Sequence, residues 1–233
     1  MGTMPKEEWK TFGSVFDRFT EQKVQALISK GVIDGLIGPL SMGKEATVFL
    51  AQAGDKRVIV KIYRLSTCDF NRMYSFIRTD PRFPKLNRQR RKVVFAWAQR
   101  EFRNLLKARE AGVRVPTPIT HWFNVLVMEL VGEDTPAQKL QSAEPKNPKA
   151  FITEIIAQMR KLYKAGMIHG DLSPFNILNN NEVPVIIDMS QSTTLEDANA
   201  RDYLIRDLKN ISSYANKHGI EITVDELERK LKA

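Results

Sequence analysis

Three oxygen-bearing side chains carry the strongest chemical signal. Asp171 and Asn176 lie within Ile168-His169-Gly170-Asp171-Leu172-Ser173-Pro174-Phe175-Asn176-Ile177-Leu178, and Asp188 closes Ile186-Ile187-Asp188. Phosphoryl transfer asks for positioning and charge neutralisation: one carboxylate to orient an attacking hydroxyl, with an amide and a second carboxylate to hold Mg²⁺ on the phosphates. Asp171, Asn176 and Asp188 are those three types, and oxygen ligands suit a hard cation that keeps waters and phosphates in its shell. A carboxylate at the end of an apolar strand is costly unless it binds something. The plain alternative is an ordinary turn followed by a strand-end aspartate. His169 reads as a loop-bracing histidine rather than a base.

Lys61 interrupts Val58-Ile59-Val60-Lys61-Ile62-Tyr63, a strand that otherwise reads as buried on both faces, so its ammonium group needs an anionic partner. Glu101 is the candidate, because Val94, Ala98, Glu101 and Leu105 fall on one helical stripe that sets a carboxylate among core-facing residues. An inward lysine with an inward glutamate resembles the pair that positions ATP phosphates in protein kinases. Two unrelated snorkelling charges are the alternative. In Ser41-Met42-Gly43-Lys44-Glu45-Ala46-Thr47-Val48 the backbone amides, Ser41 and Lys44 could cradle phosphate, although a plain hairpin turn has the same composition. Met128-Glu129-Leu130 closes a buried strand and is the expected hinge whose backbone reads adenine. Asp207 either bonds the backbone of the loop around Asp171 or pairs with Arg206 or Lys209.

These residues need elements to hold them. Trp9, Phe12, Val15, Phe16 and Phe19, then Val24, Leu27 and Ile28, recur at helical spacing and predict helices over residues 1–34. Segments near 36–41, 47–51 and 58–63 predict an antiparallel meander. Residues 65–90, poor in aliphatics and broken by Asp80-Pro81 and Phe83-Pro84, predict a long loop. A helix over 90–110, strands at 119–122 and 125–130, a helix over 151–164, short strands either side of Asn180 and two C-terminal helices complete the chain. The expected fold is α+β and two-lobed: helices over 1–34, a small β-rich lobe over 35–130, an α-rich lobe over 131–233, and a cleft between the lobes.

With 233 residues, 42% hydrophobic, the chain can bury a proper core. Its single cysteine, Cys68, excludes an intrachain disulfide framework and suits a reducing compartment, so the cytoplasm is expected. No apolar run is long enough to span a bilayer, and no leader is evident, so no membrane partner is expected. The net charge is +9, and residues 82–109 hold ten basic residues and one acid, Glu101. Such a field attracts polyanions, RNA or an acidic protein face; otherwise it is a solvated helix face.

Taken in order, the block from Ser41 to Val48, Val60-Lys61-Ile62-Tyr63, Trp97-Ala98, Glu101-Phe102-Arg103-Asn104-Leu105, Ile168 to Leu178, Ile187-Asp188-Met189-Ser190-Gln191-Ser192, Arg206-Asp207 and Asn210-Ile211 resemble the RIO family of atypical protein kinases, type-one branch. The resemblance spans nearly the whole chain. It implies a trimmed, two-lobed protein-kinase-like fold without the usual activation segment, and 45 residues after Asp188 agree with that. It also implies Mg-ATP binding, with Mn²⁺ able to replace Mg²⁺, serine autophosphorylation or ATP hydrolysis, and work on the pre-ribosomal small subunit particle through rRNA or ribosomal proteins. Lys61 would contact the phosphates, Glu101 would orient it, Asp171 would be the base, and Asn176 and Asp188 the metal ligands. The resemblance also makes Asp188 a candidate covalent phosphate acceptor. Ser173 stands where kinases usually carry lysine, and Met189-Ser190 replaces Phe-Gly, which predicts slow turnover. The leading segment is too short for the winged-helix domain of the type-two branch. Two other functions remain open: a small-molecule phosphotransferase of the aminoglycoside-kinase type, for whose helical insert this chain has no room, and an RNA-binding assembly scaffold switched by nucleotide.

Overall fold

The computed structural model describes residues 2–12, 15–84, 86–133 and 135–233; Lys85 of the basic segment and the side chain of Phe12 lie outside the described residues. The chain divides into two compact units, residues 1–102 with 118–130, and residues 103–117 with 131–233.

The first unit is built on a five-stranded antiparallel sheet: β1 (Gly35–Met42), β2 (Ala46–Ala53), β3 (Lys56–Tyr63), β4 (Pro118–Trp122) and β5 (Val125–Glu129), in the order β1-β2-β3-β5-β4. β3 is central. Its Val58, Val60 and Ile62 join Phe49, Ala51, Val125 and Val127 in a core closed by Trp9, Phe16, Val24 and Leu27. The last two belong to helix α1 (Arg18–Ser29), whose first turn is capped by Asp17 accepting from Thr20 N at 2.7 Å. The turn before β5 locks that helix to the sheet: Asn124 Nδ2 donates to Thr20 Oγ1 at 3.0 Å and to Tyr63 O at 2.9 Å, all buried.

The expected loop over 65–90 is corrected by helix α2 (Phe70–Ile77). Its apolar face is made by Phe70, Met73, Phe76 and Ile77, two aromatics and a methionine beside a single aliphatic. Met73, Phe76 and Ile77 are buried, and Asp69 caps the helix by accepting from Arg72 N at 3.0 Å. The following turn is anchored by buried Asp80, whose carboxylate takes Arg82 Nη2 at 2.6 Å and Arg100 Nε at 3.2 Å. Burial works to raise the Asp80 pKa, but the bonds from Arg82 and the charge of Arg100 bring it below the ordinary range. Helix α3 (Arg90–Glu110) passes from the first unit into the second.

The second unit holds helices α4 (Pro148–Lys164), α5 (Ala200–Lys217) and α6 (Val224–Lys232). Asn147 caps α4, with proline in its first turn, and a Thr223–Glu226 capping box opens α6. Its strands are short: β6 (Gln138–Lys139), β7 (Met167–Ile168), β8 (Ile177–Asn180), β9 (Val183–Ile186) and β10 (Thr193–Thr194). They form a β6-β8-β9 sheet and a β7–β10 ladder. Asn181 and Glu182, with φ of 51° and 67°, make the tight turn between β8 and β9. Among the described residues no helix is long and apolar enough to cross a membrane.

Candidate active site

In the first unit, strand alternation sets the chemistry. With Val58, Val60 and Ile62 committed to the core beneath α1, Lys61 and Tyr63 project from the opposite face of β3. There they meet Glu101 on α3. Lys61 Nζ donates to Glu101 Oε1 at 2.9 Å, and the two side chains are 10% and 1% exposed. The Tyr63 hydroxyl donates to the other oxygen, Oε2. A buried carboxylate needs a donor on each oxygen, and removing one member of such a pair costs about 3–5 kcal/mol by stranding the other charge.

The β1–β2 hairpin runs alongside. Ser41 is opposite Val48 on β2, and Val48 is opposite Lys61 on β3, so the three share one rung of the sheet, with Ser41 about 10 Å from Lys61 at two interstrand spacings. Ser41 and Lys44 are exposed at its tip, where Gly43 N donates to Ala46 O at 2.9 Å. Met128 pairs with Ile59 at the far end of β5 and is buried. Leu130, also buried, is the last residue of the first unit.

In the second unit, the loop carrying Asp171 is braced from three directions. Asp207 on α5, 1% exposed, accepts from Gly170 N at 2.8 Å and from Leu172 N at 2.7 Å. Burial raises its carboxyl to about 6, against the opposing pull of His169 and the two backbone amides. Its pairing is thus with the loop backbone. Asn210, one turn on, donates to Leu172 O at 2.8 Å. His169 bridges Ile187 O, 3.0 Å from Nε2, and Asp171 N, which donates to Nδ1 at 3.3 Å; this network assigns the proton to Nε2. Gly170 has a φ of 81°, and a Cβ there would meet Gln191 O at 3.0 Å.

The candidate side chains are brought together on that brace. Asn176 ends the 3₁₀ turn Pro174–Asn176 and donates from Nδ2 to Asp171 O at 2.9 Å, which leaves its amide oxygen, the atom a hard cation takes, outside this bond. Ile187 N donates to Asn176 O at 3.0 Å, so the backbone sets Asp188 beside the asparagine. Gln191 Nε2 donates to Asp171 Oδ2 at 3.0 Å, and Ser190 Oγ to Asp188 Oδ1 at 2.7 Å. Asp188 has a left-handed backbone, φ 60° and ψ 66°, which costs a non-glycine residue about 1–3 kcal/mol. Asn104 compensates from α3, its Nδ2 donating to Met189 O at 2.8 Å and Ser192 O at 2.9 Å. Tyr63, Gln191, Asn104 and Asn210 stood inside recognisable motifs without a role. Tyr63 was findable, two residues from Lys61 and therefore on the same face of the strand.

The RIO domain family model matches residues 47–228. The chain belongs to the RIO family. The RIO-type serine/threonine-protein kinase Rio1 of Haloferax volcanii is 41% identical over 223 residues, covering 95% of this chain and 77% of that protein. The Rio1 kinase of Methanocaldococcus jannaschii is 38% identical with the same coverage. Among solved structures, a Rio2 kinase–ADP/Mg²⁺–phosphoaspartate complex from Chaetomium thermophilum superposes with a TM-score of 0.71 at 22% identity, over 91% of this chain. This RIO chain spans 65% of the length of that structure, and the likeness is one of fold: a small antiparallel sheet lobe and a helical lobe, kinase-like. The RIO chain described here is a phosphotransferase of that fold.

Proposed function

We propose that this RIO protein moves the γ-phosphoryl group of ATP, as an atypical serine/threonine kinase that phosphorylates itself or as an ATPase, during maturation of the small ribosomal subunit in the cytoplasm. The observation that carries the proposal is the constellation in the second unit. Asp171 has its carboxylate held by Gln191, and its backbone is tied to Asn176, which is joined through Ile187 to Asp188.

Asp171 orients the acceptor hydroxyl and takes its proton as the oxygen attacks the γ-phosphorus and the bond to ADP breaks. Lys61, held by Glu101, contacts the phosphates; Ser41, Lys44 and the hairpin backbone cover them; the backbone from Met128 to Leu130 reads adenine. Asn176 and Asp188 fit Mg²⁺, or Mn²⁺, as an amide and a carboxylate oxygen, and the cation would neutralise phosphate charge. A phosphorylated aspartate named in the Rio2 complex supports Asp188 as an alternative acceptor, its carboxylate oxygen displacing ADP from the γ-phosphorus. The names of the Rio1 relatives favour a protein acceptor over a small molecule. The net charge of +9 and basic residues 82–109 support a pre-ribosomal partner, rRNA or ribosomal protein.

Incubation with γ-labelled ATP tests the enzyme. Wild type should release or incorporate phosphate slowly, as Ser173 and Met189-Ser190 predict, and Asp171→Ala should lose at least a hundredfold. Equal release by both proteins would end the proposal.

A further inference from the structure

The basic segment does not act as a block. Arg100 is fully buried, paired with Asp80 and set 5.6 Å from the rings of Phe76 and Trp97, and Arg82 is paired with the same aspartate. Among the described residues, the cations of this segment that the first unit leaves exposed are Arg88, Arg90, Arg91 and Lys92. The one acid of the stretch, Glu101, is buried and already bonded to Lys61 and Tyr63, so it does not offset them.

Aromatic rings interleave with these cations. Phe19 of α1, Phe95 of α3 and Phe123 of the β4–β5 turn form a mutual cluster, with centroids 5.1–5.4 Å apart. Lys23 Nζ stands 4.6 Å from the Phe19 ring and 4.7 Å from that of Phe123, and the Arg91 guanidinium stands 5.3 Å from Phe19. On the other side of the start of α3, Arg88 lies 5.6 Å from Tyr74 and Arg90 lies 5.3 Å from Phe70. Phe123 is 40% exposed and has a φ of 55°, a backbone region that bulky residues avoid. The turn is held there by the buried bonds of Asn124. A strained, fixed turn thus keeps a ring at the surface beside a field of cations.

We propose that this surface of the first unit binds single-stranded nucleic acid, with unpaired bases stacking on Phe123 and its neighbours and phosphates pairing with Lys23, Arg91 and Lys92. Charge alone would also suit an acidic peptide, and a duplex would offer phosphates but no unstacked bases. The combination of exposed cations with an exposed ring, Phe123, backed by half-buried Phe19 and Phe95, is what an unpaired polynucleotide uses. The proposal rests on the polyanion part of the proposed function and is independent of phosphoryl transfer, so Asp171→Ala should bind as wild type does.

The test is fluorescence anisotropy on the full chain across a salt series. The probes are a labelled oligouridylate of about a dozen nucleotides, the matching oligothymidylate, a duplex and polyglutamate. Wild type should prefer the single strands; preference for the uridylate over the thymidylate would identify the source as RNA, and parity would leave any single strand as the ligand. Phe123→Ala should weaken binding roughly tenfold with little change in salt slope, while Phe123→Tyr, which keeps a stacking face, should bind normally. Arg91→Gln and Lys92→Gln should each lower the slope by roughly 0.7. Equal or tighter binding of duplex or polyglutamate, or an unaltered affinity in Phe123→Ala, would overturn the proposal.

Discussion

Asp207→Asn separates the electrostatic cost of the brace behind Asp171 from its geometric value. Asp207 is 1% exposed and accepts two backbone N–H bonds that favour its anion, yet burial prevails and its carboxyl rises from 3.8 to about 6. The sign follows from linkage. The raised carboxyl contributes most to stability below about 3.8, and that contribution is lost as pH climbs through about 6. A rise from 3.8 to about 6 corresponds to roughly 3 kcal/mol above the upper value. Asparagine cannot ionise and escapes this loss, but its NH₂ must face one of the two backbone donors, leaving a buried N–H without an acceptor at about 1–3 kcal/mol.

The two terms therefore oppose each other only at higher pH. In urea unfolding below about pH 3.8, Asp207→Asn should be less stable than wild type by about 1–3 kcal/mol. By about pH 5 roughly half of the linkage loss already acts on wild type, and near pH 7.5, where that loss reaches roughly 3 kcal/mol, the variant should match wild type or exceed it by up to about 2 kcal/mol. Activity should not follow that convergence. The loop from Gly170 to Leu172 positions Asp171, so a lost brace should lower kcat roughly tenfold or more even where the two proteins are equally stable. A stability difference that stays constant from pH 5 to 7.5, with the wild-type carboxyl titrating in its ordinary range by NMR, would refute the reasoning.

Gly170→Ala should abolish phosphoryl transfer and destabilise by more than about 1 kcal/mol, because φ is 81° and the new methyl meets the Gln191 carbonyl; thermal unfolding and labelled ATP would check both. Tyr63→Phe removes one donor to a buried carboxylate while keeping the ring, so the ATP KM should rise about tenfold to a hundredfold with kcat less affected, as initial rates over an ATP series would read. Gln191→Leu should do the converse, lowering kcat about tenfold or more with the ATP KM little changed, since it leaves the Asp171 Oδ2 only the longer bond from Asn176 Nδ2, at 3.5 Å, and leaves Lys61 and Glu101 alone.

Two physical rules account for what was legible beforehand, and their limits account for the rest. Period-two alternation and the helical stripe operate within single elements, so they brought Lys61 and Glu101 together, and α2 escaped because its stripe, Phe70, Met73, Phe76 and Ile77, holds a single aliphatic. Strands of two residues, such as β7 and β10, have no period to detect and form because the braced loop and the turn after Asp188 must lie side by side. The same holds for Gln191 and Asn104. Each acts on a backbone or carboxylate far away in sequence, Gln191 twenty residues from Asp171 and Asn104 eighty-five from Met189. Their signal is chemical: an amide placed where an apolar side chain would pack as well is worth its desolvation only if distant polar groups need it. The left-handed backbone of Asp188 belongs with them, because such strain at a non-glycine residue persists only when neighbours over-determine it. In this RIO chain those neighbours are Asn104, Ser190 and the Ile187–Asn176 bond.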